Sequence, residues 1–246
     1  MVLCVGGHAD SVRMRLTATL TAVGKTEAMR ITLPSGTAAE IVSPPTTPTM
    51  GLVIAPDIWS LRPLYDEMVA RLVREWGMAV CAVEPFPGRT LAAEIEPRFA
   101  AVPTLDDASH LRDLHEAADA LGTSRVGLMG FCLGGMYCFK SAISPRFARI
   151  ASFYGMIRIP EKWRSATQGE PLEYLRRGDS AKVLALIGTA DPYTPPDDVD
   201  ALRTVGCSVV AYEAAEHAFA HDATRPSYRE ADARDAFARA HAWLLG

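Results

Sequence analysis

The residues of this chain that most clearly suggest chemistry are GFCLGG at positions 130–135. The apolar run 125–129 precedes them, and a helix-like stretch, 136–144, follows. A G-x-nucleophile-x-G segment at a turn from strand to helix holds its central side chain out of the turn. The amide groups and the dipole of the helix N-terminus would favour a thiolate there. We therefore predict that Cys132 is a nucleophile, although a free cysteine is more often a small buried hydrophobic residue.

Possible partners for this cysteine follow two later strand-like runs. Residues 183–188 lead into Asp191, and residues 208–212 lead into His217. Taken alone, such an aspartate is more often a turn or capping residue, and such a histidine is more often structural. The chain order of nucleophile, acid and histidine is nevertheless that of the α/β-hydrolase fold. We predict that Asp191 orients His217 and that His217 acts as the base.

The elements that must position these residues are short apolar runs alternating with helical patterns. Such alternation predicts an α/β fold with a mostly parallel central sheet and helices on both faces. We expect a hairpin over 29–42, a loop over 86–104 and an irregular segment over 161–178. Further strands are expected at 51–55, 78–83, 125–129, 150–154, 183–188 and 208–212, and helices at 63–76, 106–121, 136–144 and 230–245. Residues 29–246 are predicted to be one domain, and residues 1–28 an N-terminal extension without an identifiable role.

Composition limits the classes of function. The net charge of −4 and the pI of about 5.9 argue against a nucleic-acid partner. No apolar run approaches the roughly 18 residues of a membrane span, and the N-terminus has no secretory pattern. The 5 cysteines are an odd number without C-x-x-C spacing, so neither a disulfide framework nor a zinc ribbon is expected. We expect a cytoplasmic protein that acts on a small molecule; the oligomeric state is not indicated.

Two motifs could suggest a metal or a cofactor. His217 and His221 have the spacing of a helical metal site, but the glutamate of a zinc protease is missing and the pair follows a strand. The glycine loop at 130–135 matches neither nucleotide-binding pattern. We therefore predict no metal and no cofactor.

Three motifs in this order resemble the dienelactone hydrolase family: GFCLGG at 130–135, GTAD at 188–191 and EHAF at 216–219. The resemblance covers roughly residues 30–245 and includes TRPSY at 224–228. It implies an α/β-hydrolase fold, a Cys-His-Asp triad and the hydrolysis of an ester or lactone, as in carboxymethylenebutenolidase. Carried over by motif, the resemblance implies that Cys132 is the nucleophile, His217 the base and Asp191 the orienting acid.

A fourth resemblance lies in residues 55–60, where the family usually has a Glu-Ile-Phe-Gly stretch whose glutamate contacts the thiol. This chain has Asp57, one methylene shorter. The shorter acid either reaches the thiol or caps the following helix, and the sequence leaves both readings open. The backbone N–H groups of Ile58 and Leu133 are expected to form the oxyanion hole.

The substrate site is less defined by the sequence. Family arginines hold a substrate carboxylate, but the residue four positions after the histidine is His221 here. Arg89 could supply a positive charge at the rim, although the sequence slightly favours a solvated loop cation. Trp59, Phe86, Tyr154 and Trp163 could form an apolar pocket. The departures at Asp57 and His221 leave an alternative open, namely a catalytically altered member that binds a small ligand or a protein.

Overall fold

The computed structural model describes residues 28–246, so nearly all of the predicted extension 1–28 lies outside the described residues. The strands of the described part pair into one sheet in the order β1-β2-β4-β3-β5-β6-β7-β8. β2 is antiparallel to β1 and to β4, and every other pairing is parallel. The strands are β1 (Met29–Thr32), β2 (Ala38–Val42), β3 (Gly51–Ala55), β4 (Ala79–Val83), β5 (Val126–Phe131), β6 (Arg149–Phe153), β7 (Val183–Gly188) and β8 (Ser208–Tyr212).

Helices cover both faces of the sheet, and the sheet separates two hydrophobic cores. One core includes Leu114, Met136, Leu172 and Leu202 from helices α3 to α6. The other is formed with α1 and α7. The α-helices are α1 (Pro63–Trp76), α2 (Ile95–Ala101), α3 (Asp107–Ala120), α4 (Leu133–Lys140), α5 (Pro171–Arg177), α6 (Pro196–Thr204) and α7 (Glu230–Leu245). This arrangement confirms the predicted fold class.

The expectation of irregular chain over 86–104 and 161–178 was wrong in part. The first segment contains α2 and the second contains α5, and α6 was not predicted from the sequence. α2 and α5 have 7 residues each, too few for a clear apolar period. Pro97 inside α2 also reads as a helix breaker, although proline is tolerated in a first helical turn.

The parallel strands bring their carboxyl ends to one edge of the sheet. Every residue of β3, β5 and β7 is buried, as expected for strands covered on both faces. The segments that follow β3, β5, β7 and β8 carry the candidate residues, so this edge is where they meet. Within residues 28–246, no helix combines the length and the apolar character that a membrane crossing requires.

Candidate active site

Cys132 lies at a sharp turn between β5 and α4. Its φ of 54° and ψ of −113° fall outside the regions that side chains normally allow. Such a conformation costs on the order of 1–3 kcal/mol and persists only where the surroundings impose it. A Cβ on Gly134 would lie 1.9 Å from the carbonyl oxygen of Ala55, so α4 begins in direct contact with the end of β3. The turn therefore holds the sulfur at the start of α4, as the motif predicts.

Asp191 and His217 are brought together by the packing of the segments that follow β7 and β8. A Cβ on Gly188 would lie 2.2 Å from the carbonyl oxygen of Ala215, and Ala190 N–H donates to that oxygen at 3.0 Å. The two segments therefore run in backbone contact. As a result, His217 Nδ1 lies 2.7 Å from Asp191 Oδ2, and the Asp191 side chain is wholly buried.

The pKa of His217 depends on Cys132 as well as on Asp191. Burial lowers the pKa of His217, but the charge of Cys132 and hydrogen bonds to Asp191 and Cys132 outweigh it and raise the pKa to about 10. Since Nδ1 is bound to Asp191, Nε2 is the nitrogen left for the sulfur. The imidazole is 18% exposed and lines the same cavity as Cys132. The structure thus brings the three residues of the predicted triad into one group.

The N–H groups of Ile58 and Leu133 belong to the segments that follow β3 and β5. Leu133 is the first residue of α4, where an N–H has no acceptor within the helix. Over residues 28–246, Ile58 N–H donates to no protein acceptor either. Both groups are therefore free to bind a developing oxyanion.

Asp57 is held by neighbours other than Cys132. Its carboxylate accepts from Arg62 Nη1 at 2.7 Å and Nη2 at 3.0 Å, and from Trp59 N–H at 3.0 Å. His221 Nε2 lies 2.7 Å from Asp57 Oδ2. Burial raises the pKa of Asp57, but hydrogen bonds and charges of His221 and Arg62 outweigh it and hold the pKa well below its ordinary value.

These contacts bear on the two roles considered for Asp57. The residue does not cap α1, because the N-cap position of that helix is Arg62 and no side chain bonds there. Among the described residues, no hydrogen bond joins Asp57 to Cys132, although both line the cavity. The carboxylate instead bonds to Trp59 and His221, which also line the cavity, and to Arg62.

His221 links Asp57 to a buried tyrosine. Its Nδ1 lies 2.6 Å from the Tyr154 hydroxyl. Burial lowers the pKa of His221 despite the nearby carboxylate and so favours the neutral ring. Because the carboxylate can only accept, Nε2–H donates to Asp57 and Nδ1 accepts from Tyr154. The backbone N–H of Asp57 donates to Tyr65 Oη at 2.8 Å, which completes the buried network.

The cavity over Cys132 has a volume of about 190 Å³. Of the aromatic residues predicted to line a pocket, Trp59 and Trp163 do so. Phe86 belongs to the core, and Tyr154 lies behind His217, with ring centroids 5.3 Å apart. Arg89 is exposed and lies in an adjacent groove of about 640 Å³.

Sequence reasoning missed several residues of the cavity. Arg225 is the most informative, because its Nη2 lies 4.0 Å from Asp57 Oδ2 and its guanidinium 5.9 Å from the Trp59 ring. It falls within the TRPSY motif, so its place in the same loop as His217 was the available signal. The other missed lining residues are apolar or aromatic: Ile95, Phe99, Met156, Tyr193 and Ala218.

The chain is similar in sequence to known proteins. The model of the "Dienelactone hydrolase family" matches residues 37–245. A Bradyrhizobium sp. protein named "Probable 2-oxo-3-(5-oxofuran-2-ylidene)propanoate lactonase" is 29% identical over 154 residues, which cover 56% of this chain and 59% of that one. "Carboxymethylenebutenolidase 2" of Cupriavidus pinatubonensis is 29% identical over 105 residues, covering 42% and 44%. The chain thus spans about half the length of these curated relatives.

Two solved structures are similar over nearly the whole described chain. A Klebsiella pneumoniae protein assigned as a dienelactone hydrolase has a TM-score of 0.79 at 24% identity, covering 89% of this chain and 98% of that one. A dienelactone hydrolase-like promiscuous phosphotriesterase from metagenomic libraries has a TM-score of 0.70 at 21% identity, covering 90% and 98%. At these identities the likeness shows the fold.

Proposed function

The chain belongs to the dienelactone hydrolase family, and we propose that it hydrolyses an ester or a lactone through a thioester on Cys132. The observation that carries the proposal is the position of His217, which lies 2.7 Å from Asp191 and lines the same cavity as Cys132. A nucleophile beside a base that a third group orients is the recurring arrangement of covalent acyl transfer.

The first half of the reaction forms the thioester. The Cys132 thiolate attacks the carbonyl carbon, and the carbonyl electron pair moves onto oxygen, where the N–H groups of Ile58 and Leu133 bind it. When the intermediate collapses, the C–O bond breaks and the leaving oxygen takes the proton of the His217 imidazolium. In a lactone the leaving oxygen stays tethered to the acyl chain.

The second half releases the acid. Neutral His217 takes a proton from water, the hydroxide attacks the thioester carbon, and the C–S bond breaks to return the thiolate. Asp191 holds the imidazole in the tautomer that both halves require. The raised pKa of His217, about 10, keeps the imidazolium charged at neutral pH when paired with the thiolate. It can therefore act as the acid in the first half without an external proton.

Thiol labelling together with turnover tests this proposal. Burial raises the pKa of Cys81 and of Cys207 to about 12, so we expect those thiols to react slowly with iodoacetamide. We expect Cys132 to react fast, to be protected by substrate, and to be identified by peptide mapping. Cys132→Ala should abolish turnover of an activated aryl ester, and Cys207→Ala should not.

A Cys132→Ala protein that keeps the wild-type rate would refute the nucleophile assignment. A wild-type protein that turns over no ester or lactone and shows no fast thiol would favour the binding-module alternative.

Arg225 supports a more specific substrate class. The cavity is otherwise walled largely by apolar and aromatic side chains, and Arg225 is a cation on that wall. Its nearest carboxylate oxygens are 3.6 Å away on Asp222 and 4.0 Å away on Asp57, so neither pairing is a short ion pair. We infer a compact, mostly apolar lactone or ester that carries a carboxylate. The Bradyrhizobium relative is named for a lactone of that kind.

Matched substrates test the role of Arg225. For a carboxylated lactone, Arg225→Met should raise KM by at least about tenfold, since a charge-assisted hydrogen bond contributes roughly 1.5–3 kcal/mol. For the methyl ester of the same acid, KM should change little. Arg89→Met, in the adjacent groove, is the matched control and should leave both values unchanged. Equal KM changes for both substrates would refute carboxylate recognition by Arg225.

A further inference from the structure

Arg98 on α2 contacts three consecutive residues of the segment that follows β3. Its Nη1 donates to the carbonyl oxygen of Ile58 at 2.9 Å and to Ser60 Oγ at 3.2 Å. Its guanidinium carbon lies 5.1 Å from the centroid of the Trp59 ring. One buried side chain thus holds the residue that supplies a proposed oxyanion donor and the aromatic wall beside it.

The remaining donors of Arg98 bind the chain that leads into α2. Nε donates to Ala92 O at 3.0 Å and Nη2 to Leu91 O at 3.4 Å. Arg98 is only 7% exposed, and in residues 28–246 no carboxylate lies within ion-pair distance of it. Burying a guanidinium without a carboxylate partner is costly, and here the planar fork donates instead to three backbone carbonyls and to the Ser60 hydroxyl.

The segment that Arg98 holds has few other restraints. Ser60 N–H donates weakly to Asp57 O at 3.3 Å, and Ser60 has a φ of 67°. Ile58 N–H makes no bond to the described protein. Besides Arg98, the segment is held by Asp57 through Trp59 N–H, by Arg62 Nη1 at 3.5 Å from Ser60 O, and by the buried Ile58 side chain. Arg98 and Asp57 therefore hold the Ile58–Trp59 peptide, which directly follows the Asp57–Ile58 peptide that carries the Ile58 N–H.

We propose that Arg98 is a positioning residue for the oxyanion hole, which it serves by fixing residues 58–60 and so the direction of the Ile58 N–H. This inference rests on the proposed function. Arg98 acts through Ile58 and does not itself touch the reacting atoms. α2 also carries Ile95 and Phe99, which line the cavity, so the same side chain joins that wall to the oxyanion segment.

Two reactions of the same sulfur separate this role from a general structural one. Alkylation of Cys132 by iodoacetamide needs the thiolate but develops no oxyanion, whereas ester turnover needs both. In Arg98→Met we expect kcat to fall by about 10²-fold, the loss typical of one oxyanion donor. We expect the alkylation rate of Cys132 to stay at the wild-type value and KM to change little.

A matched arginine provides the control. Arg146 also binds backbone carbonyls, with Nη2 2.7 Å from Ala118 O and 3.3 Å from Thr123 O, and does not line the cavity. Arg146→Met should lose stability but keep kcat. If Arg98→Met does not fold, Arg98→Lys carries the test, with a smaller fall in kcat at an unchanged alkylation rate.

The outcomes distinguish this inference from the proposed function. If wild type is active, Cys132→Ala is inactive and the Arg98 variants keep the wild-type kcat, the positioning role is overturned. Equal falls in the Cys132 alkylation rate and in kcat would also overturn the positioning role, because the defect would then lie in the reactivity of the thiol. If wild type is inactive toward esters and lactones, the proposed function itself fails.

Discussion

Replacing Asp57 by asparagine tests whether this carboxylate anchors the cavity wall or activates the thiol. Asp57 is 1% exposed and binds Arg62 through both oxygens, with His221 as a further partner. The substitution keeps the shape but removes the charge. The asparagine side chain has an NH₂ group in place of one carboxylate oxygen. This NH₂ group would face groups that can only donate, so at least one buried donor loses its acceptor.

The expected loss of stability follows from these contacts. Breaking a buried charge pair costs about 3–5 kcal/mol. The lower end applies here, because the Arg62 side chain is 23% exposed and keeps Asp222 as a partner at 3.4 Å. We expect the free energy of unfolding to fall by about 3 kcal/mol, which corresponds to a Tm lower by about 6–12 °C for a domain of this size.

The pH dependence has a definite sign. The folded-state pKa of Asp57 is depressed below its ordinary value of 3.8. The stabilisation is therefore complete above about pH 4 and is lost as the pH falls further. The difference in unfolding free energy between wild type and Asp57→Asn should be constant from pH 5 to neutrality and narrow below about pH 4.

Urea unfolding at several pH values measures this difference, and iodoacetamide measures the thiol. An anchor predicts lower stability with the Cys132 alkylation rate unchanged, whereas an activator predicts slower alkylation. Asp107→Asn is a matched control, since Asp107 and Lys140 form a buried pair at 2.7 Å away from the cavity. An Asp57→Asn protein as stable as wild type, with Asp107→Asn destabilised, would refute the reasoning.

Three further changes have defined outcomes. Asp191→Asn should lower kcat by about 10³–10⁴-fold in steady-state assays, because the wrong imidazole tautomer is favoured; an unchanged kcat would contradict the triad. The pKa of His217 is raised from 6.5 to about 10, so its stabilisation is complete below about pH 6.5 and lost as the pH rises through about 10. The unfolding free energies of wild type and His217→Gln should converge over that range; a constant gap would contradict the ion pair. Gly134→Ala should destabilise by about 1–3 kcal/mol or more in urea unfolding, since its Cβ would lie 1.9 Å from Ala55 O; wild-type stability would contradict the close packing.

Much of the fold was predictable because its signals are local. The helices Pro63–Trp76 and Glu230–Leu245 and the strands Gly51–Ala55 and Val183–Gly188 have the predicted bounds. Each has a run of apolar residues or a helical period long enough to read along the chain. α2 and α5 were not predicted because a helix of two turns is too short to show a clear apolar run or helical period. The stability of such short helices comes from tertiary contacts.

The sequence by itself determined the strained turn at Cys132 and the order in which Asp191 and His217 follow it, since glycine spacing and strand ends are properties of neighbouring residues. Only the tertiary structure decided which groups Asp57, Arg98 and Arg225 contact. Asp57 meets His221 from 164 positions away, and Arg98 reaches Ile58 across 40. The hydrophobic periodicity of the sequence does not predict such contacts, because they depend on how the loops pack at one edge of the sheet.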